Sequence, residues 1–337
     1  MLDSKIGRVT IRDMGPREGL QSEAVVVPTE KKLELIRALL KAGVKHIQVT
    51  SFVSPKVVKQ FADSEALMEK LEHPEDVFYW ATVPNERGLE RAVSTHINGI
   101  SVPISATNGH NIVNMQRTTA KAMRDSEVVI RKAKAAGLHV NASLSAVYGC
   151  PIEGYVPPES VIDICKKLQW MGVDALSFGD TTGMANPRQV KRFLARIIDE
   201  FPGMEIITHF HDVRGAGLAN VLAAIDAGVL IHDCALCGMG GQPSTTRKLY
   251  TYGRLGNICT EDLVGMLEEM DIRTGINLER LIKAAKLFES ILGRELPGFI
   301  SKSGPVKALW GGGKEYLDYF VATYGYKDVD DTKDNAG

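Results

Sequence analysis

Apolar and polar positions along the chain alternate between two periods. Short runs of period two, or short apolar blocks, occur at 8–14 (RVTIRDM), 46–53 (HIQVTSFV), 77–83 (VFYWATV) and 99–105 (GISVPIS). More follow at 139–147 (HVNASLSAV), 175–181 (ALSFGDT), 205–212 (EIITHFHD) and 230–236 (LIHDCAL). Each predicts a strand. Between them lie longer stretches with apolar residues three and four apart, such as TEKKLELIRALLKAG, PESVIDICKKLQWMG and NPRQVKRFLARIIDEFPG. These predict amphipathic helices. Several have Ser, Thr or Asn near the start and Gly just past the end, the residue types that satisfy free backbone groups at helix termini.

Eight strand–helix alternations over about 240 residues predict an α/β fold, a (β/α)8 TIM barrel, rather than an open doubly wound sheet. No GxGxxG follows the first strand, which weakens the dinucleotide-binding alternative. After the eighth strand, TEDLVGMLEEM and NLERLIKAAKLFESILG predict two extra C-terminal helices. The expected organisation is a barrel domain over 1–290, an extension over 291–326 that packs on it, and a disordered polar tail over 327–337.

Composition narrows the class without naming a reaction. At 337 residues, 44% hydrophobic and 24% charged, the chain is long enough for a full core and ordinary for a soluble protein. A net charge of −1 gives no basic surface for nucleic acid or an anionic membrane. No apolar run reaches the roughly 18 residues that span a bilayer, and the start carries no signal-peptide apolar segment. Five cysteines without disulfide spacing favour a reducing cytoplasm. The expected partner is a small molecule, with no nucleic acid and no membrane, and a homodimer is the expected assembly.

A barrel of this kind carries its site at the C-terminal ends of its strands. Those ends hold Arg17, Glu18 and Gln21 after the first strand, and Gln48, Thr50 and Ser51 on the second. Ser143 lies on the fifth, Asp180 and Thr181 end the sixth, and His209, His211 and Asp212 end the seventh. Gln21, Gln48, Ser143 and Thr181 are the candidates for holding a substrate. The sharpest local signal is THFHD, whose two histidines at i and i+2 share one face of a strand. They either bind one divalent ion or hydrogen-bond within the lumen. Acidic residues ending the first and sixth strands favour the ion. Mixed nitrogen and oxygen ligands suit Mg²⁺ or Mn²⁺ best, with Zn²⁺ or Co²⁺ as alternatives. The CxxC at 234–237 lacks a second pair and lies on a buried strand, so it reads as core.

Read in order, DMGPREGLQSE, TSFVSPK, GCPIEG, LSFGDTTGMANP, THFHD, AGLANVLAAIDAGV, GMGGQP and GNICTEDLVGMLE closely resemble the hydroxymethylglutaryl-CoA lyase family over residues 8 to 290. The resemblance implies a divalent-metal-dependent carbon–carbon lyase. It implies His209, His211 and Asn257 as metal ligands, and Arg17 as the residue on the acyl carbonyl oxygen. It also implies that Asp180 is tied to a catalytic histidine. Three positions depart from the family pattern. Glu18 stands where the family has an aspartate ligand, Gln48 replaces a glutamate, and Gln242 replaces the cysteine of a mobile GGCP loop. The stretch from Gln242 to Asn257 is also longer than the family's.

The implied chemistry cleaves a 3-hydroxyacyl-CoA to acetyl-CoA and a keto acid. It needs a cation to polarise the hydroxyl, a base for its proton and an acid for the enolate. His209 is the expected base, with a metal-bound water as the alternative. Gln242 has no proton to exchange, so Cys237, Tyr250, Tyr252 or a loop-held water are the candidates for the last task. An aldolase or condensing synthase for a related hydroxy or oxo acid is the alternative enzyme. A weakly catalytic ligand-binding homologue is the alternative outside catalysis.

Overall fold

The computed structural model describes residues 6–21, 23–241, 256–309 and 313–325. Eight parallel strands close a barrel in chain order. They are β1 (Thr10–Asp13), β2 (His46–Ser51), β3 (Phe78–Thr82), β4 (Gly99–Ser105), β5 (His139–Ser145), β6 (Ala175–Asp180), β7 (Glu205–Phe210) and β8 (Ile231–Cys234). β8 closes on β1 with Thr10 opposite Ile231 and Arg12 opposite Asp233. Each predicted strand is present, β4 with the predicted bounds and the others shorter than the apolar pattern suggested. The fold is a TIM barrel.

Alternation along each strand separates two environments. One face packs on the surrounding helices and is apolar, with Ile47, Val49, Ile100, Val102, Leu144, Leu176 and Phe210 all buried. The lumen is polar instead. Gln48 and Asn141 both donate to the Ser101 hydroxyl, at 3.3 and 3.2 Å. Arg12 pairs with Asp233 and stacks on the Trp80 ring, 4.3 Å from its centroid. A bulge between Gln48 and Thr50 breaks the period of β2. It turns Thr50 away from the lumen to meet the Ser64 hydroxyl at 2.7 Å.

The helices follow the predicted stretches, but Thr29–Ala42 and Pro158–Met171 both start after a proline with no side-chain cap. Thr29–Ala42 starts after Pro28, so Thr29 lies inside the helix, and it ends at Gly43, whose φ of +96° only glycine adopts easily. Pro187–Glu200 is capped as expected, by the Asn186 side chain on the Gln189 amide at 3.0 Å. The extra helices Thr260–Glu269 and Leu278–Leu292 both form, and the second packs on Thr29–Ala42. Compact units divide after Lys302. The second unit contains the turn Val306–Leu309 and the helix Lys314–Tyr324. No helix among the described residues is long and apolar enough to cross a membrane. The predicted disordered tail lies outside the described residues.

Candidate active site

Beyond β1 the chain tightens into a π-helical turn, Gly15–Gly19, in which the Met14 carbonyl gathers the amides of Arg17, Glu18 and Gly19 at 3.1, 2.7 and 3.4 Å. Gly15 permits this turn, because a side chain there would press on the Asp13 carboxylate and on Leu236. The turn holds Arg17 and Glu18 over the mouth of the barrel, with Arg17 Nη1 donating to Glu18 Oε2 at 2.9 Å.

β7 supplies the other half. His209 and His211 point to one side while Phe210, between them, is buried in the apolar layer. The two Nε2 atoms are 3.1 Å apart. Glu18 Oε1 lies 3.2 Å from His211 Nε2 and 3.6 Å from His209 Nε2. Ligand atoms of Glu18, His209 and His211 all fall within 4.8 Å of one another, and all three residues are buried. Asn257 is held against them by backbone pairing with His211 and by its own Nδ2–H donated to the Met239 carbonyl at 2.9 Å. Its Oδ1 is buried with no hydrogen-bond partner among the described residues. A lone buried carbonyl oxygen beside two imidazoles and a carboxylate is a donor set that fits a divalent cation.

The charges are tightly linked. Burial opposes ionisation of Glu18, but His209, His211 and Arg17 outweigh it and hold the carboxyl well below the usual range. Burial alone would lower the His209 pKa, yet Glu18 and Asp233 push it up to about 10. In the metal-free protein a proton on His209 therefore balances the acidic groups that would otherwise face a cation.

The partner of His209 corrects one expectation. Asp233 Oδ2, from β8, lies 3.4 Å from His209 Nδ1. Asp180 does not fill that place, because its two oxygens accept the backbone amides of Met184 and Ala185 at 2.8 and 3.1 Å. Burial raises its pKa, partly offset by those amides. Asp180 thus shapes the loop after β6. Thr181 is occupied similarly, its hydroxyl accepting the Ala146 amide at 2.9 Å. Ser143 is half-buried on β5 opposite Ser177, and Gln21 is half-buried just past the π-helical turn. Gln48 is buried in the lumen, and its Oε1 lacks a partner among the described residues.

Cys237 is no candidate for the missing proton donor. Its thiol is buried against the Ala285 carbonyl, 3.7 Å away, and burial followed by Glu261 raises its pKa far above the usual range. Gln242, Tyr250 and Tyr252 lie outside the described residues. Sequence reasoning missed Arg12 and Asp233. The available signal was charge at lumen-facing positions inside the apolar runs RVTIRDM and LIHDCAL.

A family model described as HMGL-like matches residues 8–288. Hydroxymethylglutaryl-CoA lyase YngG of Bacillus subtilis is 41% identical over 290 residues, covering 86% of this chain and 95% of that protein. The (R)-citramalyl-CoA lyase of Chloroflexus aurantiacus is 36% identical over 308 residues, covering 88% and 95%. A solved HMG-CoA lyase from Acinetobacter baumannii, in complex with coenzyme A and 3-methylmalate, superposes with a TM-score of 0.84 at 34% identity, covering 90% of this chain and 98% of that one. Family model, sequence relatives and solved structure agree over the barrel and its site-bearing strand ends, and the chain belongs to the HMGL-like family of carbon–carbon lyases.

Proposed function

We propose that the chain cleaves a 3-hydroxyacyl-CoA of the 3-hydroxy-3-methylglutaryl-CoA type to acetyl-CoA and a keto acid, using a divalent cation held by Glu18, His209, His211 and Asn257. The observation that carries this reading is the convergence of Glu18, His209 and His211 beside the unpartnered Asn257 Oδ1. The carboxylate and amide oxygens favour Mg²⁺ or Mn²⁺. When bound, the cation supplies Lewis-acid polarisation of the substrate hydroxyl and of the ketone formed from it.

The rest follows from residues of this chain. The hydroxyl gives its proton to a base, the bond between C2 and C3 breaks, and its electron pair moves into the thioester enolate. That enolate then takes a proton at C2 to become acetyl-CoA. Arg17 shares Nη1 with Glu18, but its buried Nε has no partner among the described residues and would donate to the enolate oxygen. His209 faces Glu18 and His211 through Nε2 and Asp233 through Nδ1, which supports a ligand role over a base role. The glutamine side chain at 242 exchanges no proton, so the final protonation needs a donor other than the loop residue of the family pattern. Five free cysteines, four of them buried, support a reducing cytoplasm as the location.

The test is mass spectrometry of Mn²⁺-reconstituted protein with 3-hydroxy-3-methylglutaryl-CoA and, separately, citramalyl-CoA. Acetyl-CoA with acetoacetate from the first, or with pyruvate from the second, is expected and is lost in His211→Ala. No acetyl-CoA from either, with Mn²⁺ bound, refutes the acyl-CoA reading.

A further inference from the structure

Two buried charges lie beneath the site; Asp233 meets His209, and the chemistry above gives Arg12 no role. Arg12 and Asp233 stand opposite each other across the closure of the barrel, and both are 2% exposed. Arg12 Nε is 2.8 Å from Asp233 Oδ1. The other oxygen, Oδ2, faces His209 Nδ1 at 3.4 Å and lies 3.4 Å from the Ser177 hydroxyl that donates to it. Asp233 is therefore held between a guanidinium and an imidazole, with one oxygen for each.

Arg12 is itself confined. Its guanidinium lies over the Trp80 ring, and among the described residues none of its three nitrogens has a hydrogen-bond partner, Nε meeting Asp233 Oδ1 as an ion pair. Burying a cation whose nitrogens make no hydrogen bond is costly, and an ion pair in such a place is weak support for stability. A lumen built only for packing would be better served by apolar side chains. The arrangement is coherent if the guanidinium pins Asp233, because an imidazole ligand keeps its orientation when its other ring nitrogen has a fixed acceptor.

We infer that Arg12 is a positioning residue for the metal centre: it fixes Asp233, which holds His209 Nδ1–H and so directs Nε2 at Glu18 and His211. This rests on the metal reading proposed above. Arg12 touches no ligand atom of the cation, so its effect passes through Asp233 alone.

The experiment measures Mn²⁺ affinity by electron paramagnetic resonance in wild type, Arg12→Met, Arg12→Lys, Asp233→Asn and the double variant Arg12→Met/Asp233→Asn. Arg12→Met is expected to weaken binding about 10-fold or more, with most of the loss recovered in Arg12→Lys. The double variant is expected to bind as Asp233→Asn does, because the second change removes a residue with nothing left to position. Wild-type affinity in Arg12→Met or Asp233→Asn, or additive losses in the double variant, would overturn the inference. If Arg12→Met does not fold, the double variant, which buries neither charge, is compared with Asp233→Asn and wild type. The proton on His209 Nδ1 gives a second readout by NMR, in metal-free and Zn²⁺-loaded protein. It is expected to be protected from solvent in wild type and exchange-broadened in Arg12→Met. Failure of wild type to bind Mn²⁺ would sink the metal reading, whereas an unprotected Nδ1 proton in both forms would sink the role of Arg12.

Discussion

Gly240→Ala tests whether the proposed ligands are set by close backbone packing. A methyl group on Gly240 would stand 2.5 Å from Asn257 Nδ2 and 3.0 Å from Glu18 Cγ. Ordinary contact is about 3.5 Å, so the overlaps are roughly 1 Å and 0.5 Å. The backbone there has a φ of +108°, and a residue with a side chain adds strain of about 1–3 kcal/mol at such an angle. Gly241 separates the two effects. Its φ is +120°, but an added methyl would meet Gly256 Cα at 3.7 Å, an ordinary distance. Both alanine variants are therefore expected to lose stability, while only Gly240→Ala pushes on Asn257 and Glu18. Displacing two of the proposed ligands by this amount is expected to lower Mn²⁺ affinity about 10–100-fold. Gly241→Ala is expected to bind close to wild type. Affinity is read by titration with paramagnetic detection of free Mn²⁺, and folding by thermal melts of the metal-free proteins. Equal Mn²⁺ affinities in the two variants would refute the argument that Gly240 sets the ligand positions.

Two further outcomes follow from the titrating groups. His209 titrates at about 10 without metal, so a proton must leave before Nε2 can coordinate, and Mn²⁺ affinity is expected to rise with pH. The slope is about tenfold per unit over roughly pH 6.5 to 8.5, and a flat profile in calorimetric titrations would contradict the site's charge balance. Glu261 is raised to about 7 by burial, with partial relief from Cys259 and from the Cys237 amide. A carboxyl raised in the folded state costs stability at pH above the folded value and ceases to do so below the unfolded one. Glu261→Gln is therefore expected to be more favourable at pH 8 than at pH 5, by on the order of 2 kcal/mol. A pH-independent difference in denaturant unfolding would count against the buried charge.

Much of the fold was legible because barrel strands and helices repeat a local rule. The apolar runs located all eight strands, and the alternation between them implied a closed parallel barrel with its site at the strand ends. The HxH pair was legible for the same reason, since alternate residues of extended chain, His209 on β7 and His211 just past its end, share a face. Glu18 was harder. It is local to β1 in sequence, yet it reaches His211 only because barrel closure brings a turn 193 positions away to the end of β7.

Asp233 shows what local patterning could not supply. In LIHDCAL it is one acidic residue in an apolar run, whereas Asp180 ends a conspicuous GDT. Spacing gives no basis for choosing between them, because each follows its own strand and neither is near His209 in sequence. The strand register decides it: His209 is paired with Asp233 on one side and Gly179 on the other, which leaves Asp180 to the loop amides. Sequence alone determined the barrel, the histidine pair and the family resemblance, because these rest on periodicity and on short ordered motifs. Only tertiary structure decided which carboxylate holds His209, that Arg12 braces it and that Cys237 is sealed away. Those assignments depend on distances across the closed sheet, and residues far apart along the chain acquire such distances only when the barrel closes.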